Sequence, residues 1–191
     1  MTPALETRLS LFDTRTRKVE SISASNGSHL RIYSCGPTVY RDAHVGNLRT
    51  FLLSDLIIKV LKYTGVDARL VQNITDVGHM SEDLHEDKLL AESSARKMDP
   101  FEIAREFEGR FHHDLHWLGV NPANIYPRAS ESIEMMQSLI LQLIDKGHAY
   151  VGTDSSVYFD ARSFESYGEI SGNRLDALKP CLLYTSDAAD E

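Results

Sequence analysis

The sequence predicts an α/β protein: a Rossmann-type parallel sheet, followed by a helical insertion that carries a small antiparallel β element. Three observations predict it. Leu30-Arg31-Ile32-Tyr33-Ser34 and Ala68-Arg69-Leu70-Val71-Gln72-Asn73-Ile74 both read as strands. Between them Leu48, Phe51, Leu52, Leu56, Val60 and Tyr63 recur at helical spacing. A strand, a crossover helix and a parallel strand make a right-handed βαβ unit, the repeating piece of such a sheet. Beyond residue 90 helical periodicity takes over until two short alternating runs near the end. With 191 residues, 42% of them hydrophobic, the chain can bury a core.

Taken in order, residues 1–29 form a lead-in, with a turn expected at Ser25-Asn26-Gly27-Ser28 before the first core strand. Gly65 stops the crossover helix. Residues 77–87 are polar and read as a loop, and a helix is expected around Lys88 to Lys97. Asp99-Pro100-Phe101-Glu102 is a helix start: an Asp cap, Pro at the first helical position, Glu three residues after the cap. Ile103, Phe107, Phe111, Leu115 and Leu118 then line one face, and Gly119 ends the helix. Ser130 is expected to cap a further helix whose Ile133, Met136, Ile140 and Ile144 face inward, with Gly147 as its stop. Ala149-Tyr150-Val151 and Ser156-Val157-Tyr158-Phe159-Asp160 alternate like the strands of a hairpin. The predicted organisation is residues 1–90 as the first half of the sheet domain and 91–180 as a connective insertion. Residues 181–191 (Cys-Leu-Leu-Tyr-Thr-Ser-Asp-Ala-Ala-Asp-Glu) read as an in-frame translation of a sequencing adapter, an artefactual tail excluded from fold reasoning.

Composition excludes several classes. Residues 1–20 mix acidic and basic side chains without an apolar core, so they are not a signal peptide. The most apolar run, Phe51 to Leu61, is interrupted by Asp55 and Lys59, which argues against a membrane span. Two cysteines are too few for a disulfide framework and fit a reducing cytoplasm. A net charge of −8 argues against a broad nucleic-acid-binding face.

The chemistry-bearing residues cluster where the first strand meets its helix. Cys35 lies at the strand's carboxyl end, followed by the loop Gly36-Pro37-Thr38-Val39-Tyr40, and His44-Val45-Gly46-Asn47 opens the helix. Helix N-termini offer free N–H groups and partial positive charge, so anions bind there, and ligands of open parallel sheets sit at the strands' carboxyl ends. An isolated cysteine is usually an inert buried hydrophobe; this one's setting suits a zinc-binding thiolate. His44 and Asn47 can donate to phosphate oxygens, and Gly46 leaves room for a ligand against the backbone. Arg49 divides between a phosphate contact and a solvated charge. Asn73-Ile74-Thr75-Asp76 ends the second strand, where a local Asx turn competes with Thr75 or Asp76 touching a small substrate. His112, His113 and His116 have helical spacing but lie off the apolar stripe, so they read as a solvated face. His79 with His85, and the acidic run Glu82 to Asp87, read as solvated loop.

Together, Cys35-Gly36-Pro37-Thr38-Val39-Tyr40, His44-Val45-Gly46-Asn47, Asn73-Ile74-Thr75-Asp76 and Lys146-Gly147-His148-Ala149-Tyr150 resemble the cysteinyl-tRNA synthetases, a family of class I aminoacyl-tRNA synthetases. Matched order and spacing extend over residues 8–175, and Leu11 to Thr16 is similar to that family's amino-terminal strand. The resemblance implies a cytoplasmic, monomeric aminoacyl-tRNA ligase without membrane association, whose partners are ATP, L-cysteine and tRNA(Cys). It implies Zn2+ as cofactor, with Cys35 as its first ligand, and Mg2+ accompanying ATP. His44 and Asn47 match the first and last positions of the signature His-Ile-Gly-His and become catalytic, with Gly46 completing the ATP-binding set; Asn47 stands where His is commoner. Gly36, Thr38 and Thr75 match positions of the amino-acid pocket. The remaining zinc ligands, the Lys-Met-Ser-Lys-Ser signature and the anticodon-binding domain are absent from these residues. The resemblance therefore implies an amino-terminal fragment, inactive by itself. Other readings of the same residues are a cysteine ligase of mycothiol synthesis, another His-x-Gly-His nucleotidyltransferase, and a non-catalytic binding module derived from a synthetase.

Overall fold

The computed structural model describes residues 6–23, 29–78 and 93–172. The chain divides into two compact units, one of residues 1–11 and 21–132 and one of residues 12–20 and 133–191. The expected turn at Ser25–Ser28, most of the expected helix around Lys88 to Lys97, His79 with His85, the acidic run from Glu82 and the tail at 181–191 lie outside the described residues; Ser93 to Arg96 are helical.

Two strands precede the sheet, β1 (Glu6–Asp13) and β2 (Lys18–Ser23), paired with each other. Asp13 makes the turn between them, its Oδ1 accepting from the Arg15 amide and its carbonyl from Arg17, which sits at φ 58°. The sequence signalled a turn only after β2.

The first unit is built on β3 (Leu30–Ser34) and β4 (Ala68–Gln72), which pair in parallel from Leu30↔Ala68 to Ser34↔Gln72. Helix α1 (Val45–Tyr63) connects them. Its last turn closes on Gly65 at φ 79°, a conformation glycine adopts without a Cβ penalty. Beyond β4 the ladder gains a partner absent from the sequence reading. The Gln72 and Ile74 amides donate to the carbonyls of Ile125 and Pro127, the Ala129 amide donates to Ile74, and Val71↔Ile125 and Ile74↔Arg128 pair in parallel. The Asn124 side chain joins the same edge by accepting from the Leu70 amide.

Helix α2 (Pro100–Trp117) starts as its sequence predicts: Asp99 accepts from the Phe101 and Glu102 amides, and Pro100 follows the cap. Its Ile103, Ala104, Phe107, Phe111 and Leu115 are buried with Val39, Phe51, Ile74 and Val120. Phe51 and Phe111 meet edge to face at 5.0 Å. The α1 stripe differs from the expected one. Phe51, Ser54, Asp55 and Leu61 are buried, whereas Leu52, Leu56 and Tyr63 are exposed. Two polar residues displace leucines from the inner face because each has a partner there: Ser54 bonds Ser34, and Asp55 bonds Lys59 and the backbone and side chain of Asn121.

In the second unit α3 (Ile133–Asp145) packs against β5 (Ala149–Val151), which pairs antiparallel with β6 (Val157–Phe159) as the alternation predicted. Gly147 takes φ 74° at the stop. Two expectations fail here. Helix α3 has no buried residue, so Ile133, Met136, Ile140 and Ile144 do not form an inward face. Ser130 does not cap it, because its hydroxyl donates to Asp76 and it sits in a 3-10 turn, Ser130–Ser132. Rings of His148, Phe159, Phe164 and Tyr167 pack around the hairpin, with the His148 imidazole bonded to Ser163 at 2.8 Å.

Candidate functional site

The parallel ladder of β3 and β4 does not stop at their ends, and this extension positions the candidate residues. Thr75 donates its amide to the Pro37 carbonyl, Val39 donates to the Thr75 carbonyl, and Thr38 pairs with Thr75 in parallel. Val39 plugs into the core at 2% exposure, anchoring the segment from below. Gly36 is required by contact. A Cβ there would lie 1.6 Å from the Asn73 carbonyl oxygen, so any side chain would force the two backbones apart. The segment that read as a loop is thus a clamped strand end, and Cys35 sits at its start with an exposed, free thiol.

His44 is the N-cap of α1, extended at φ −90° and ψ 168°. Its Nδ1 accepts from the Gly46 amide at 3.0 Å, and Asn47 Oδ1 accepts from the His44 amide at 3.3 Å. The two side chains therefore make a reciprocal capping box in which histidine replaces the usual serine or threonine. Because Nδ1 accepts, the neutral ring carries its proton on Nε2. Asn47, accepting through Oδ1, likewise keeps its Nδ2 protons for an outside acceptor. Gly46 makes room for the imidazole itself, since a Cβ would lie 2.7 Å from the ring. That is a closer constraint than the ligand space expected from sequence. No acidic side chain occupies the first turn of α1, so the helix's positive end is not neutralised from within.

A cleft opens beside these elements, lined by Gly36, Thr38, Tyr40 and Asn47 and walled by Phe51 and Phe107. The structure thus gathers Gly36, Thr38 and Asn47 around one space. Cys35, His44 and Thr75 flank it through backbone neighbours without lining it. Tyr40 and the α2 phenylalanines are cleft residues that the sequence reading did not single out. Phe107 and Phe111 were visible only as core, and Tyr40 only as part of a motif.

Asp76 is not a substrate contact. It is 1% exposed and holds the Ser130 amide and hydroxyl at 2.9 and 2.6 Å and Arg105 at 3.3 Å. Arg105 also bonds Glu108, and Arg128 grips Glu108 through Nε and Nη2 while reaching Glu131 through Nη1. Burial pushes the Glu108 carboxyl up, but the bonds and charges of Arg128 and Arg105 outweigh it and hold the group below its ordinary range. The network locks α2 and residues 128–131 to the end of the sheet. His112, expected on a solvated face, is half-buried with its ring edge-on to Tyr126 at 4.6 Å; His113 and His116 are exposed as expected. Arg49 is exposed.

Among the described residues no group of three or more His, Cys, Asp or Glu side chains could hold a metal ion. Cys35 is a single candidate ligand, and the described residues do not complete a zinc site around it. No helix among them is long and apolar enough to cross a membrane.

A family model described as the catalytic domain of class I (C) tRNA synthetases matches residues 21–185. Among curated proteins, a cysteine–tRNA ligase of Chlamydia felis (strain Fe/C-56) is 39% identical over 183 residues, covering 96% of this chain and 37% of that protein. One from Deinococcus radiodurans is 40% identical over 170 residues, 88% of this chain and 34% of its own length. One from Pyrococcus horikoshii is 36% identical over 171 residues, with 90% and 34% covered. The chain spans about a third of the length of the curated relatives it matches.

Proposed function

Because this chain belongs to the class I (C) tRNA synthetase catalytic-domain family, we propose that the full-length protein is a cysteine–tRNA ligase, activating cysteine with ATP and transferring it to tRNA(Cys). The observation that carries this reading is the His44–Asn47 capping box, set at the uncompensated positive end of α1 beside the clamped Gly36–Thr38 segment. Residues 1–90 form the first half of a Rossmann-type catalytic domain. Residues 91–180 form the connective insertion, whose first long helix, α2, adds Phe107 and Phe111 to the apolar wall that Phe51 of α1 begins.

The residues divide the work as follows. His44 Nε2–H and Asn47 Nδ2 donate to the phosphates of Mg2+-bound ATP, and Gly46 permits the imidazole to fold over its own helix end. Gly36, Thr38 and Thr75 form the amino-acid side of the site. The carboxylate of cysteine attacks the α-phosphorus in line, the bond to the bridging oxygen breaks, and pyrophosphate leaves. A step of this kind depends on positioning and charge stabilisation more than on proton transfer, which is what a capped helix end offers. Cys35 serves as one ligand of a zinc ion that would bind the substrate thiol. The protein works in the cytoplasm as a monomer.

The deciding experiment is cysteine-dependent ATP–pyrophosphate exchange by the full-length protein, with and without Cys35→Ala. Exchange that requires cysteine, ignores serine and collapses in the variant is the expected result. Exchange indifferent to cysteine and to Cys35 would overturn the proposal.

A further inference from the structure

In the sequence Asn73 belongs to a strand-end motif whose ordinary role is a local turn. The structure gives its side chain long-range work instead. Oδ1 accepts from the Gly36 amide at 2.8 Å and from the Tyr33 hydroxyl at 2.9 Å, and Nδ2 donates to Thr75 Oγ1 at 3.0 Å. Two of these partners lie 37 and 40 residues away in sequence, so they exist only because β3 and β4 pair in parallel.

The orientation of this amide follows from its partners. A backbone N–H can only donate, so Oδ1 must face Gly36 and Nδ2 must face Thr75. Both lone pairs of Oδ1 are then engaged, which holds the carboxamide plane from two sides. Thr75 Oγ1 takes a bond from Nδ2 and keeps its own proton to give elsewhere. The backbone carbonyl of Asn73 fills the place of a Gly36 side chain, so neither strand end can shift without the other.

We propose that Asn73 is a positioning residue for amino-acid binding: one carboxamide ties the Gly36 amide, next to Cys35, to the Thr75 hydroxyl and sets that hydroxyl as an outward donor. The inference rests on the proposed role of Gly36 and Thr75 in holding the amino acid. It implies that the two strand ends flanking the pocket are held in fixed register before the substrate arrives, so little ordering is left to the binding step.

Asn73→Asp separates this role from bulk structure. An aspartate keeps the shape and still accepts from Gly36 and Tyr33. It presents an acceptor to Thr75, whose hydroxyl would turn round to donate to the carboxylate and would no longer be free to donate to the amino acid. In exchange assays on the full-length protein, KM for cysteine should rise about tenfold, the scale of one lost hydrogen bond, while KM for ATP and Tm stay unchanged. In a Thr75→Val background, where no hydroxyl remains to orient, the same substitution should change KM for cysteine by less than about twofold. An unchanged KM for cysteine, a parallel rise in both KM values with a fall in Tm, or full additivity with Thr75→Val would each overturn the inference. Should Asn73→Asp not fold, Tyr33→Phe removes one exposed hydroxyl and should raise KM for cysteine alone by about two- to threefold; no rise overturns it. A wild-type protein without cysteine-dependent exchange would instead defeat the function on which the inference rests.

Discussion

Helices α2 and α3 invert what their compositions suggest. Helix α3 is the more apolar, with eight hydrophobic residues among its thirteen, yet none of them is buried. Helix α2 carries nine charged or histidine side chains in eighteen positions and buries six residues, Glu108 among them. Both show helical periodicity, so both were legible as helices. Burial depends on something periodicity does not encode: whether a sheet and its side chains stand ready to receive the face. For α2 the receiving surface is Val39 and Ile74, at the clamped strand ends of the candidate site, together with Phe51 of α1. For α3 the element packed on it most closely, among the described residues, is the three-residue strand β5.

The sharpest test of that difference is truncation in the α2 core. Phe111 is 3% exposed and edge-on to Phe51, so Phe111→Ala should lower unfolding free energy by about 3–5 kcal/mol, the usual cost of a deleted core aromatic and its cavity. Urea denaturation of the purified chain measures it. A loss below about 1 kcal/mol would mean that the α2 face is no better packed than α3, and the comparison would break.

A second test concerns the buried charge. Glu108 is held by Arg128 and Arg105, and Glu108→Gln leaves both cations with a weaker acceptor, a cost of about 1–3 kcal/mol. The pH dependence gives the sign. The folded carboxyl titrates below its ordinary value of 4.5, so its contribution is present in full above that value and is lost as pH falls through the folded pKa. Wild-type stability should therefore decline on acidification below about pH 4.5 more steeply than that of Glu108→Gln. Two superimposable acid limbs would remove Glu108 from the account.

The same contrast explains what could be read in advance. Strands β3 and β4, helix α1 between them and the β5–β6 hairpin follow from local patterns, and so do the ends of α2, because Asp99-Pro100 and Gly119 are local signals. The His44–Asn47 box is also local, three residues apart, although histidine as a cap disguises it. Non-local facts stayed hidden. Residues 124–129 give no strand signal because Pro122 and Pro127 flank or interrupt them, yet Pro127 needs only its carbonyl to pair with Ile74. Asp76 resembles a pocket residue in the sequence, but Arg105 and Ser130, distant in the chain, occupy its carboxylate. The buried face of α1 departs from the one its periodicity predicts because Ser54 and Asp55 find partners, Ser34 and Asn121, that no helical wheel displays.

Substitution on α3 carries the smallest expected effect and makes the comparison complete. Leu139 sits at the middle of the helix and is 57% exposed. A leucine so placed has little apolar area to lose on truncation, and glutamine is nearly as good a helix former. Leu139→Gln should therefore shift unfolding free energy by no more than about 0.5 kcal/mol, the range of ordinary surface changes. The corresponding polar change at Phe111 would be ruinous, though the two residues look equally hydrophobic in the sequence. If Leu139→Gln instead cost about 2 kcal/mol or more, the α3 face would have to be covered in solution, and its apolar composition would then reflect packing after all.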